Sequence, residues 1–300
     1  MTQGTGRDSS GKDFAAGRIG EVVDLDATIP AIPPMPTAMT LWEVLHNRKH
    51  SPAAVYVGLL GLSPDPALGE WIAARASASG HADSFQLLRK EWQRRVANRG
   101  ELLAQASPLL RELGPDEKRQ LVATVKRVVE QDGVVTWPSI YFFTHIRAVF
   151  EALPVALPAD PVRTAQDVDT LLALVAYQAD CQSPGDERLH AARVKAAAEL
   201  HVQPVKLRPA RTGGIAEFDQ LVARLSQRQD SERRGILRAC VAVASELENA
   251  SWSRDEQADN RLPALSPPTA ELLHALHAAL RQPLRSRPAG WPRRASRTTA

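Results

Sequence analysis

The segment 115–131, PDEKRQLVATVKRVVEQ, limits the fold more than any other part of the chain. Its apolar residues Leu121, Val122, Val125, Val128 and Val129 recur at i, i+1, i+4, i+7 and i+8, which is the repeat of one helical face and not of a strand. Asp116 and Glu117 in the first turn suit the positive end of the helix dipole, and Asp132-Gly133 closes the segment as a turn. A second helix is expected over 136–153, which makes the pair an αα-hairpin. A stripe of this kind needs other helices to cover it, and composition supplies them. Ala, Leu, Arg, Glu and Gln are abundant and lose little rotamer freedom in a helix, while β-branched residues rarely alternate with polar ones. The sequence predicts an all-α protein of about eleven or twelve helices in two packed subdomains.

Punctuation divides the chain. Residues 1–36 read as a disordered segment ending in the Pro-rich connector TIPAIPPMP (28–36). Ser51-Pro52 and Asp65-Pro66 each place a capping oxygen before a proline at the first helical position, where no amide hydrogen is needed. The connectors 154–164 (PVALPADPVRT) and 203–214 (QPVKLRPARTGG) are rich in Pro or Gly, and the first separates subdomain 37–153 from subdomain 165–281. Ile236, Leu237, Cys240, Val243 and Ala244 fall in the register of Leu121, Val122, Val125, Val128 and Val129, and Glu232, Arg233 and Arg234 match Glu117, Lys118 and Arg119. An internal duplication is one reading of that match.

The formal charge of +3 misleads, because the last twenty residues carry six arginines and no acid, leaving 31 basic against 34 acidic groups elsewhere. The body is therefore not a polyanion-binding surface by charge alone, and 282–300 reads as a basic, disordered, solubilising tail rather than a nucleic-acid or membrane anchor. Cys181 and Cys240 are too few for a disulfide framework and lack the CxxC spacing of a zinc or redox site. The longest apolar runs, AAVYVGLLGL and LLALVAY, are far shorter than the roughly 20 residues a membrane helix needs. A chain without a membrane span, residing in the cytoplasm, is expected.

Several strings suggest chemistry. GRDSSGKD at 6–13 fits GxxxxGK, but Asp13 stands where a hydroxyl should reach magnesium, and only five residues precede it, too few for the strand of a P-loop. His46 and His50 have the spacing of a helical zinc pair. Asn47 cannot deprotonate a metal-bound water, however, and Arg48 and Lys49 oppose a bound dication, so both read as surface histidines. Glu271, His274 and His277 form a row at i, i+3 and i+6. The wheel assigns the core side to Leu272, Leu273, Leu276, Ala279 and Leu280, which predicts a solvated face for the row. No GxSxG elbow occurs.

Five blocks, SPAAVYVGLLGLSPDPAL (51–68), LLAQASPLLRELGPDEKRQLVATVKRVVEQDG (102–133), LLALVAYQAD (171–180), FDQLVARLSQRQDSERRGILRACVAVAS (218–245) and AELLHALHAALRQPL (270–284), together resemble the helical, TerB-like C-terminal extension of HtpX-like, CAAX-protease-type zinc metallopeptidases. In that family the HExxH site belongs to a separate membrane-embedded domain, which this chain does not carry. The resemblance implies that an acidic DG turn could hold a cation. Asp132 is the candidate metal ligand, with Ser139 standing about where a second carboxylate would be and the acidic stretch 246–259 replacing the turn in the second copy.

Three functions follow. The first is a non-catalytic helical scaffold or interaction module, with no cofactor and a protein partner, a membrane peptidase subunit among the options. The second is a TerB-like cation-binding regulator using Asp132. The third is a degenerate or partial metallopeptidase. Aromatic residues are scarce, so packing of Trp71 or Trp92 is expected to matter disproportionately.

Overall fold

The computed structural model describes residues 41–62, 65–94, 98–130, 136–153, 161–179, 187–202, 215–258 and 260–281. The segments 1–36 and 282–300, and most of both connectors, lie outside the described residues. Among the described residues there are thirteen α-helices and no strand. They are α1 (Leu41–His46), α2 (Pro52–Leu60), α3 (Pro66–Ala78), α4 (Ala82–Arg94), α5 (Arg99–Arg111), α6 (Pro115–Glu130), α7 (Trp137–Val149), α8 (Pro161–Ala179), α9 (Glu187–Glu199), α10 (Ile215–Ser226), α11 (Asp230–Leu247), α12 (Arg254–Ala258) and α13 (Pro267–Ala279). The fold is all-α, as expected. The count exceeds eleven or twelve because α12 is a five-residue turn of helix with no buried residue and hence no apolar stripe to announce it.

Local chemistry sets most boundaries. Asp65 caps α3 by accepting the amide of Ala67 at 2.9 Å, with Pro66 at the first position. Ser51 departs from its expected role. It already has helical φ and ψ, and its hydroxyl donates to the Arg48 carbonyl at 3.2 Å instead of receiving an amide of α2. Glu117 and Glu232, which share a register in sequence, do the same work: each carboxylate accepts the amide three residues before it, from Gly114 at 2.9 Å and from Gln229 at 3.0 Å. Helix α7 begins behind Thr136, which caps Ser139, and stops at Val149, short of the expected 153. There Glu151 turns left-handed (φ 58°) and the Ala152 amide reaches back to the Arg147 carbonyl at 2.7 Å, a helix-ending arrangement that satisfies the last carbonyls.

Leu121, Val125, Val128 and Val129 are buried as the stripe predicts, with Val122 partly so. Two apolar clusters form the interior. One draws on residues 44–150 and includes Val57, Phe85, Leu103, Leu110 and Val125. The other draws on 140–280 and includes Leu171, Leu189, Val222, Cys240 and Leu276. Helix α7 serves both, giving Ile140, Tyr141 and Ala148 to one and Phe142, Ile146 and Val149 to the other. Helix α13 joins the halves: it packs most extensively on α7 and also touches α5, α8, α10 and α11. Trp71 and Trp92 are partly buried against the first cluster, and the Arg127 guanidinium sits 4.9 Å from the Trp71 ring centre, linking α3 to α6.

Candidate functional site

The sequence places Glu271, His274 and His277 on a solvated face; the structure buries all three. The correction has a packing cause. A helix wheel assumes one covered side, whereas α13 is enclosed by α7 and α5 as well as by the helices of the second cluster. Its nominally polar side lies on α5, and there three consecutive residues, Asn98, Arg99 and Gly100, receive it.

Asn98 caps α5 by accepting the Gly100 amide at 2.7 Å and donates from its amide to the Pro267 carbonyl at 3.4 Å, joining the starts of the two helices. Arg99 clasps Glu271 bidentately, Nε to Oε1 at 2.7 Å and Nη2 to Oε2 at 2.9 Å, and donates Nη1 to the Gly61 carbonyl at the end of α2 at 2.6 Å. Gly100 has to be glycine for close approach: a Cβ there would fall 2.6 Å from the His274 Cβ, an atom fixed to its own backbone.

Among the described residues His274 has no hydrogen-bond partner for Nδ1. Burial, with His145 and His277 nearby, holds its pKa well below the usual imidazole range. His145 of α7 is likewise driven down to about 3, by burial first and the Arg111 charge second. Both rings are neutral at physiological pH and act as packing groups with a polar edge. The sequence carried a faint signal for this hub. An arginine at the first turn of a helix opposes the dipole, so Arg99 directly before Gly100 indicates a guanidinium used elsewhere.

The same bracing recurs. Arg224 of α10 donates to both oxygens of Asp167 in α8, at 2.6 and 2.8 Å, and that hydrogen bonding raises the Arg224 pKa further. Asp219 of α10 accepts from Arg147 and Thr144 of α7; burial raises its pKa while Arg147 opposes the rise. Arg193 of α9 lies 3.5 Å from Asp169 of α8. Charges inside this protein tie one helix to the next.

The other candidates fall apart spatially. His46 is exposed, whereas His50 is half-buried with Nδ1 2.6 Å from the Ser84 hydroxyl. That serine–histidine pair ties the 47–51 turn to α4 and is not an activated nucleophile, because Ser84 is 1% exposed and presents no open side to a substrate. Beside it His81 has a lowered pKa, caused chiefly by burial. Cys240 is buried and its thiol is pushed up to about 12 by burial, which removes the thiolate. Ser139 is buried and shares a hydrogen bond with Thr136 at 2.8 Å. In the acidic stretch Glu246 meets Lys195 at 3.1 Å, Glu248 receives the amide and hydroxyl of Ser266, and Glu256 receives those of Ser253. Asp132, Cys181, Asp259 and the 6–13 string lie outside the described residues. Among the described residues no group of three or more His, Cys, Asp or Glu side chains is placed to hold a metal ion, and no helix is long and apolar enough to cross a membrane.

One cleft of about 250 Å³ opens beside α13. Helix α11 forms a wall with Arg234, Leu237, Arg238 and Val241, spaced i, i+3, i+4 and i+7. The opposite wall comes from Trp252, from Gln257 and Ala258 of α12, and from Asn260, Arg261 and Leu262 after it, while the buried His277 of α13 lies at the inner end. The Trp252 indole donates to the Arg261 carbonyl at 3.0 Å, pinning that wall.

Comparison with known protein families, with curated proteins and with solved structures finds no match to the chain. Fold and interior together define an all-α protein whose buried charges brace helices against one another.

Proposed function

We propose that the chain is a non-catalytic helical scaffold that docks onto another protein, with a membrane zinc peptidase as the partner and the cytoplasmic side as the place of contact. The observation that carries this reading is the fate of the interior charges. Arg99, Arg147, Arg193 and Arg224 each meet a carboxylate of a neighbouring helix, so their polar chemistry is spent on rigidity. The nucleophiles Ser84 and Cys240 are sealed. A rigid frame with reactive groups enclosed suits a structural partner. The exposed face of α6 mixes Asp116, Glu117, Arg119, Lys126, Arg127 and Glu130, a both-sign surface that fits a protein better than a polyanion. The partner rests on the resemblance of five sequence blocks to the TerB-like extension of HtpX-like peptidases.

The test is co-expression of the full chain with the HExxH-bearing membrane protein encoded nearest to it, followed by detergent extraction. Stoichiometric co-purification is expected, and its failure removes the peptidase as partner. Peptide cleavage by the isolated chain that a chelator abolishes would overturn the non-catalytic reading. Saturable heat on calcium or zinc titration would replace it with the cation-binding one.

A further inference from the structure

We infer that the joint of α13 with α7 and α5 is a proton-operated latch, which acid opens by charging the histidines enclosed in it while helices away from the joint stay closed. All eight histidines of the chain are described, and the three that are buried, His145, His274 and His277, lie on α7 and α13. Those two helices pack on each other more extensively than any other pair and join the two apolar clusters. A proton taken up by a buried imidazole therefore acts at this joint. The latch needs nothing from the scaffold reading and stands or falls without it.

Little in the joint receives such a charge. His274 Nδ1 has no partner among the described residues, and the close approach of Gly100 to the His274 Cβ leaves little space for water. The carboxylates of the surrounding helices are already engaged: Glu271 by Arg99, Asp219 of α10 by Arg147, and in α8 Asp167 by Arg163 and Arg224 and Asp169 by Arg193. Glu101 of α5 accepts from Gln105, and Glu217 of α10 is exposed and acts on Arg224. In α11 Asp230 meets Arg233 and Arg234, Glu232 meets Arg228, and Glu246 meets Lys195. Helix α6, which also packs on α7, keeps Asp116, Glu117, Lys126 and Glu130 exposed. The other charges at the joint are positive: Arg111 of α5 acts on His145, and Arg234 and Arg238 of α11 line the cleft that ends at His277. A protonated imidazole here gains no acid and no water, and parting the helices supplies the water. His145 titrates at about 3 and His274 well below the usual range, so between pH 6.5 and 5.0 the open joint accepts protons that the closed joint refuses. Each such histidine raises the opening constant about tenfold per pH unit. Asp219, raised by burial, works in the opposite sense and so is not the source of acid opening.

The test is amide hydrogen exchange of the full chain, followed peptide by peptide at pH 6.5 and 5.0 and corrected for the intrinsic pH dependence of exchange. Peptides of α13 should open at least about thirtyfold more at pH 5.0. Helix α9 is the reference, because it packs chiefly on α8 and α11 and its one histidine, His190, is exposed. Its opening should change by less than about threefold over the same range. His145→Leu and His274→Leu each remove one titrating ring and should each shrink the rise in α13 by about tenfold. Should either variant not fold, the contrast between α13 and α9 in the unaltered chain still decides. Opening of α13 that is the same at both pH values overturns the proposal. So does an equal rise in α9, which would be general acid unfolding, and so does a rise in α13 that both variants keep in full.

Discussion

Two histidine pairs in this chain have nearly the same spacing in sequence and opposite fates. His46 and His50 stand four apart at the edge of the first cluster, one exposed and one half-buried against Ser84. His274 and His277 stand three apart in α13 and are both buried. The difference lies in what surrounds each: α1 ends at His46, leaving His50 in the following turn, and packs on α4 and α5, while α13 has neighbours around it. Spacing tells which residues share a face and says nothing about whether that face meets water.

The comparison can be broken most directly at Arg99. Arg99→Ala leaves the Glu271 carboxylate buried without its cation and should cost about 3–5 kcal/mol in chemical denaturation, whereas the double change Arg99→Met with Glu271→Leu should recover most of it. If Arg99→Ala costs under about 1 kcal/mol, α13 is not enclosed as described.

Acid should separate the pairs next. His145 has a folded-state pKa below its ordinary value, so the unfolded chain takes the proton first as pH falls. Stability is then at its full value above pH 6.5 and declines toward about 3, by about 1.4 kcal/mol per pH unit from this residue. His274 adds to the decline in the same direction. Denaturation midpoints measured across this range should flatten in His145→Leu, and an unchanged slope would refute the assignment.

Gly100→Ala sharpens the contrast further. The added methyl meets the His274 Cβ, and overpacking should cost about 1–3 kcal/mol despite the better helix propensity of alanine. A neutral or stabilising effect in thermal melts would show that α5 and α13 are looser than the contact implies. The smallest effect belongs to the exposed member of the other pair: His46→Gln should change stability by no more than about 0.5 kcal/mol.

Much of the fold was legible because it depends on neighbours in sequence. The stripe of α6, the Asp65-Pro66 start of α3 and the acidic first turn at Asp116 and Glu117 all act within one or two turns, where spacing and geometry coincide. Ser51 was misplaced because the preceding turn, 47–51, closed by the Ser51 amide on the Asn47 carbonyl, had already brought it into helical conformation, so the Ser-Pro pair did not mark a cap. The clasp of Arg99 on Glu271 joins residues 172 apart, and the Arg224–Asp167 clasp joins residues 57 apart. No periodicity links such partners. The cleft was unreadable for a like reason: Arg234 and Arg238 share one face of α11, and only Trp252, Gln257 and Arg261, brought across from later in the chain, make a wall opposite them.

The sequence by itself determined that the chain is helical, where most helices begin, and which residues form each apolar stripe, because backbone propensity, capping and side-chain period are local free energies. Only the tertiary structure decided that α13 is covered on its polar side as well, that Asn98, Arg99 and Gly100 form its seat, and that histidines of equal promise divide into packing groups and surface groups. Desolvation depends on everything that surrounds a side chain, and that surrounding is assembled from segments far apart in the chain.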